Sequence, residues 1–523
     1  MKINLFSWRR FVKLKMITKI NGLKSLCLVT LSLCLFSTAY SASIESYVLV
    51  NRDDVLFSGK INNLSSKAQL NTISESVSLM DVLLGVLSFN APVNQISQVF
   101  TENTDIGLDY SKTSYAVFSS SFDHSRYSTV YLAVKDFAKL QKNIDNLPHL
   151  FFPNTSILTK NGFKVYNIDD YSYLLINKDV CILSIDNHYI DEIIQQPPFV
   201  KHLNDFEYAK YLDHSKDLSI AFSKTDSRDF LDRILFPNIL DLYQVYTLQF
   251  EDGVIDICQK FIAASDSSRK ALDQLKQAFK VPTHSMDLAI ESSPTFSFLT
   301  GVNASIFEPL ILGLLDNDLI EEEETRLMSQ LSSLIEGDML TVVDNFRPDS
   351  YDFAFDVSLM AQGKAKQAFV IASSFLEKNI SGLVQMEYPK DDQIKITNKD
   401  LVVYLGYKEE IFYVTTDLKL ANDPTRDLKS KLIGHGMEIH SENDTFIGEL
   451  NFPQLVSALS SVKDSSLAED IVTLFDSYDR LEYAGVYGDA MNIKLSLKNR
   501  EINSLAYLAK CFYSFLVKTN YRI

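Results

Sequence analysis

Two spacings of apolar residues run through the chain. Short apolar runs mark strands at Ser114–Phe118, Thr129–Val134 and Leu218–Phe222, and residues 173–183 and 403–413 read as β-hairpins closed by a polar turn of Lys and acidic residues. Steps of three and four residues mark helices: Leu272, Leu275 and Phe279 share one helix face, as do Leu505, Leu508 and Phe512. Longer helical patterns, at about 67–100 and 305–335, precede the strand-rich stretches.

These elements recur in one order. Ser114–Phe118, then Thr129–Val134 running into Phe137–Ile144, parallels Ser350–Phe355, then Gln367–Ala372 running into Phe375–Ile380. The two hairpins follow, and then Leu218–Phe222 with helical Phe230, Ile234 and Leu235 resembles Phe446–Leu450 with Leu455, Leu459 and Val462. Phe250–Ile257 resembles Tyr487–Ile493, a turn leading into a strand, and the closing-helix triplets are offset by 233 residues. A fixed order of like elements is the signature of an internal repeat. The expected fold is therefore α+β, with two tandem, structurally similar modules at 44–285 and 286–523, each an antiparallel-rich sheet with packed helices. The boundary falls near Val281-Pro282-Thr283-His284.

The first 41 residues have a different layout. A basic leader is followed by the apolar run Ser25–Phe36 and the small-residue stretch Ser37-Thr38-Ala39-Tyr40-Ser41-Ala42, the arrangement of a secretory signal peptide. Residues 1–41 are expected to be removed between Ser41 and Ala42, with Ala39 at the minus-three position and Met16 as an alternative start. A bilayer span needs about 20 apolar residues, so membrane contact is expected only transiently through the leader, with an uncleaved anchor over 25–42 as the alternative. Arg9-Arg10-Phe11 departs from a twin-arginine signal, and Leu33 stands where a lipoprotein box needs a small residue before Cys34.

Charge narrows the partners. The leader holds seven of the 50 basic side chains and none of the 67 acidic ones, so the remainder is strongly acidic and repels phosphate backbones. No nucleic-acid partner is expected. The sole Trp, Trp8, and two of the five Cys, Cys27 and Cys34, also lie in the leader. Cys181, Cys258 and Cys511 make no disulfide framework and no Cys-x-x-Cys pair, and each sits in an apolar pattern that suits a packed thiol.

No reaction-specific motif occurs. The nucleophile-elbow, phosphate-loop and dinucleotide glycine patterns are absent. Two Ser-x-x-Lys strings, at Ser267–Lys270 and Ser460–Lys463, lack the Lys-Thr-Gly companion of penicillin-binding enzymes. His435 and His440 would point to opposite faces of a strand, and Asp316, Asp318 and Glu321–Glu324 suit a solvated helix start better than a calcium loop. Asp186, Asn187, His188, Asp191 and Glu192 read as the polar start of a helix, and Asp105 and Asp109 around Gly107 as turn chemistry. Asn63, Asn154, Asn303, Asn379 and Asn443 are glycosylation sequons that matter only in a eukaryotic secretory pathway. No catalytic, metal or cofactor-binding residue is singled out.

Two local patterns carry a resemblance: Gly107-Leu108-Asp109 ahead of Tyr115, and the closing strand Ile493–Leu497 followed by Asn503-Ser504-Leu505. In these the chain resembles exported bacterial proteins of unassigned function, often lipoproteins, built of repeated α+β modules. The resemblance implies no catalytic residues. The expected function is a non-enzymatic protein of the bacterial periplasm, surface or exterior that binds a protein or envelope component. An exported hydrolase with a carboxylate pair between the modules, and a carrier of an apolar ligand, are the alternatives.

Overall fold

The computed structural model describes residues 44–50, 54–68, 105–119, 128–146, 158–168, 172–185, 203–224, 242–283, 294–304, 306, 322–347, 354–379, 382, 384–398, 401–422, 442–460, 472 and 475–510. The leader, with Ser41 and Ala42, lies outside them. Contacts divide the chain into two compact units that interleave in sequence. One is drawn from 1–223, 245–253 and 500–523, the other from 224–244 and 254–499. Both are mixed, with helices packed on antiparallel strands, which agrees with an α+β class.

The first unit opens with a single 3-10 turn, Ile44–Ser46, and continues with β1 (Asp54–Gly59), α1 (Ile61–Ala68), β2 (Ser114–Ser119), β3 (Ser128–Ala133), α2 (Phe137–Asp145), β4 (Leu158–Lys160), β5 (Phe163–Asn167), β6 (Ser172–Ile176), β7 (Val180–Ile185) and β8 (Leu218–Lys224). Its pairings run β4-β5-β6-β7-β3-β2-β1-β8, every one antiparallel. β3 reads Ser-Thr-Val-Tyr-Leu-Ala, β-branched and aromatic material suited to a pleated surface. Five of its six residues are buried, as expected of a strand covered on both faces. In α1, Ile61, Leu64 and Ala68 are buried at helical spacing, and in α2 Leu140 and Ile144 are.

Gly107 fixes where α2 begins. It has φ +101°, and a Cβ there would lie 2.4 Å from the Asp136 carbonyl oxygen and 2.7 Å from the Leu140 nitrogen. Its own carbonyl accepts from the amides of Lys135 and Asp136, and the Asp136 side chain caps the helix by accepting from the Lys139 amide at 2.9 Å.

β9 (Leu242–Glu251) turns at Gly253 into β10 (Val254–Ala263), which leads to α3 (Asp266–Ala278) and β11 (Phe279–Lys280). The remaining elements are β12 (Phe296–Val302), α4 (Glu322–Ser332), β13 (Ile335–Arg347), β14 (Ala354–Gly363), α5 (Ala365–Asn379), β15 (Gln385–Lys390), β16 (Gln393–Asn398), β17 (Leu401–Lys408), β18 (Ile411–Thr415), α6 (Leu418–Asn422), β19 (Phe446–Asn451), α7 (Phe452–Ser460), β20 (Tyr478–Val486), β21 (Ala490–Leu497) and a closing helix α8 over 504–510. In the second unit the pairings run β15-β16-β17-β18-β14-β13-β12-β19-β20-β21-β10, again all antiparallel. α5 packs Phe369 and Ala372 on Ile394 and Leu405, while Leu299, Leu340, Met360, Tyr404 and Tyr413 form a separate core cluster.

Three local expectations are corrected. Gln367–Ala372 is helix, inside α5, where a strand was expected; Ala365, Ala368, Phe369 and Ala372 bury one face at steps of three and four, and alanine favours helix. Phe279 lies in β11, just past the helix it was assigned to. The helical pattern over 305–335 ends early, because Ile335 already begins β13.

The two closing helices each meet a glycine turn. In the second unit, Leu272 and Leu275 of α3 pack with Leu242, and Gly488 (φ +74°) brings its turn so close that a Cβ would lie 2.6 Å from the Leu272 carbonyl oxygen. Phe279 stacks on Tyr487, and Lys276 pairs with Asp489 at 3.3 Å. In the first unit, the Gly253 amide (φ +67°) donates to the Ile502 carbonyl at 2.8 Å, Asp252 bridges to Asn503, and Asn503 Oδ1 accepts from the Leu505 amide at the start of α8.

Candidate functional site

A set of long-range polar contacts lies beneath the segment 44–50. Ile44, Val48, Leu49 and Val50 are buried, so this stretch is core material. The Tyr115 hydroxyl donates to Glu45 Oε1 at 2.6 Å, the Tyr47 hydroxyl donates to Asp179 Oδ2 at 3.0 Å, and the Leu49 amide donates to the Tyr131 hydroxyl at 3.3 Å. The Val48 carbonyl accepts from the Leu203 amide at 3.0 Å. Asp179 is itself held in the β6–β7 turn, where Asn177 Oδ1 accepts from the amides of Asp179 and Val180 at 2.8 Å each. The Tyr47 ring meets Phe163 edge-on, and exposed His214 meets Tyr115 edge-on.

A second polar centre lies in the same unit. The Asp217 carboxylate is fully buried and accepts from Lys67 Nζ at 2.6 Å, Asn63 Nδ2 at 2.9 Å and the Phe250 amide at 2.7 Å; Lys67 also donates to the Phe250 carbonyl at 2.7 Å. It joins α1 to β9.

Chemically, these groups hold structure in place. Tyr115 has no exposed surface, and burial, then the charge and hydrogen bond of Glu45, push its hydroxyl well above the ordinary tyrosine range. Its proton is committed to Glu45 and out of reach of a solute. Burial likewise pushes the Cys181 thiol up to about 12, so it is an inert packed thiol. Cys258 is half-buried, and Cys511 lies outside the described residues.

The other residues singled out in the sequence disperse. Asp109 closes a local turn, its Oδ1 accepting from the Ser111 amide and hydroxyl, while Asp105 pairs with Lys139 at 2.7 Å. In the first Ser-x-x-Lys string, Ser267 and Lys270 are exposed on α3, and Ser268 with Ser265 forms the helix capping box. Ser460 bonds back to the Val456 carbonyl. Ser461, Val462 and Lys463, together with His435, His440, Asp186–Glu192, Asp316, Asp318, Glu321 and Asn154, lie outside the described residues. Asn63, Asn303 and Asn379 are engaged with Asp217, the Gln277 carbonyl and the Phe375 carbonyl. Among the described residues no group of three or more His, Cys, Asp or Glu could hold a metal ion, and no helix is long and apolar enough to cross a membrane.

Glu45, Tyr47, Lys67 and Asp217 are the residues that sequence reasoning passed over. Their partners stand 33 to 183 positions away, so no short-range spacing marks them.

No curated protein and no solved structure matches the chain. A family model does match, over residues 50–505, which takes in both strand sets and the Asp217 centre and begins at the last residue of the buried N-terminal segment. On that match the chain belongs to the family described as Domain of unknown function (DUF4836).

Proposed function

We propose that this is an exported protein of the bacterial envelope or exterior that works by contact: a gene-doubled pair of like-folded α+β modules, freed of residues 1–41, that binds a protein or envelope component. The observation that carries the reading is a recurring strand order. Counting from β1, the first set pairs as fourth, fifth, sixth, seventh, third, second, first, eighth; counting from β12, the second set pairs in the same order.

Individual rungs agree as well. Val117, Thr129, Ser184 and Tyr173 face one another across β2, β3, β7 and β6; Val342, Ser358, Thr415 and Tyr404 do so across β13, β14, β18 and β17. This register aligns Tyr173 with Tyr404, one residue away from the alignment that sequence alone suggests. A doubled fold offers two related surfaces from one gene. Leu359, Tyr388 and Leu401, exposed by 48%, 55% and 56%, are large apolar side chains of the kind that interfaces use.

The test is cell fractionation with N-terminal sequencing, combined with photo-cross-linking from positions 359, 388 and 401. The expected result is a mature chain beginning at Ala42 in an exported fraction, with a discrete cross-linked product. A full-length cytosolic chain sinks the export reading, and silence at all three positions sinks binding through them.

A further inference from the structure

The buried segment 44–50 begins three residues beyond the expected cut. Ala42 and Ser43 alone separate the scissile bond from Ile44, which is 5% exposed and held in a turn by the Tyr47 amide donating to its carbonyl at 2.9 Å. A peptidase binds its substrate extended and accessible on both sides of the bond, and folded backbone resists it until it opens. There is little slack to separate the two demands. Residues 37–43 join the apolar run to Ile44, and fully extended they reach at most about 25 Å, so a leader still in the bilayer would hold the docked segment against the membrane face.

We propose that Ile44–Val50 is a clasp whose docked state and whose cleavable state exclude each other: the leader is removed first, and the clasp then closes the first unit. The inference rests on the export reading above. Four anchors make the closure. Glu45 takes the Tyr115 hydroxyl, Tyr47 reaches Asp179, the Leu49 amide reaches Tyr131, and Val48 packs with no exposed surface while its carbonyl takes the Leu203 amide. These partners come from β2, the β6–β7 turn, β3 and a 3-10 turn. The clasp can therefore form only on a unit whose strands are already assembled.

The experiment uses the full 523-residue precursor, in detergent, with purified bacterial signal peptidase. The folded precursor is expected to be cut between Ser41 and Ala42 at least tenfold more slowly than the same chain held unfolded in the highest urea the peptidase tolerates. Tyr115→Phe and, separately, Tyr47→Phe each remove one anchor and should raise the rate on the folded chain while leaving the unfolded rate unchanged. Equal rates on folded and unfolded precursor, or no acceleration by either variant, overturn the clasp. If neither form is cut between Ser41 and Ala42, the export reading itself fails, and the two failures are told apart by the unfolded control.

Discussion

The hydroxyls of Thr129 and Ser184 meet at 2.9 Å at facing positions of β3 and β7, both with no exposed surface. Ser358 and Thr415 repeat the contact at 2.6 Å across β14 and β18, with the two residue types exchanged. A buried hydroxyl needs a partner, and here each supplies the other's. Replacing Thr129 with Val leaves the Ser184 hydroxyl unpaired and should cost about 1–3 kcal/mol of stability, whereas the double change Thr129→Val with Ser184→Ala should cost less than the sum of the two single changes. Urea denaturation of the three variants checks this. Strict additivity would show that the pair is incidental.

Two glycines with positive φ should respond differently to alanine. Gly488 has φ +74° and no room for a Cβ, because the Leu272 carbonyl oxygen would stand 2.6 Å away; Gly162 has φ +84° with nothing within 4 Å. Gly162→Ala meets only backbone strain, about 1 kcal/mol. Gly488→Ala must also push α3 off its turn, and should lose about 2 kcal/mol or more beyond that, with reduced hydrogen-exchange protection at Leu272 and Leu275. Equal losses at the two sites would show that α3 yields freely.

Much of the strand pattern of both units is legible in the sequence. The hairpins at 173–183 and 403–413, the Phe446–Leu450 strand and the turns at Gly253 and Gly488 follow from local periodicity and turn residues, which is information carried within a few positions. Gln367–Ala372 was misread because a six-residue apolar run suits a strand or a buried helix equally, and only the sheet contacts decide. The clasp and the Asp217 centre were not legible at all. Glu45 looks like any surface carboxylate and Lys67 like any helix lysine until β2 and β9 are brought beside them.

Lys67 should matter far more than a surface lysine. It donates to the fully buried Asp217 carboxylate and to the Phe250 carbonyl, with a quarter of its own side chain in water. Lys67→Met keeps the aliphatic stem but leaves the carboxylate without its cation, and the loss should be about 3 kcal/mol. Lys67→Met combined with Asp217→Asn should recover part of it, because the charge that needed the lysine is gone. Thermal and urea unfolding measure both, and a single variant within 0.5 kcal/mol of wild type would mean that water screens the pair.

The buried tyrosines set the alkaline limit of the fold. Burial raises the Tyr115, Tyr483 and Tyr487 hydroxyls above the ordinary value of 10.0, with the Glu45 charge and hydrogen bond adding to it at Tyr115 and the Tyr487 charge adding at Tyr483. In each case the folded chain holds its proton more tightly than the unfolded chain. The stabilisation is therefore fully present below pH 10 and is lost as pH rises towards the folded values. Between these limits each such tyrosine removes about 1.4 kcal/mol per pH unit. Absorbance at about 295 nm, where tyrosinate absorbs, should show one group of tyrosines titrating near 10 and a second appearing only as the protein unfolds. Tyr115→Phe loses the Glu45 hydrogen bond, and so lowers stability at neutral pH. It also removes one of the titrating groups, and its stability should fall less steeply with pH above 10 than that of wild type. Parallel slopes for the two proteins would show that Tyr115 ionises in place, with its contact to Glu45 already open.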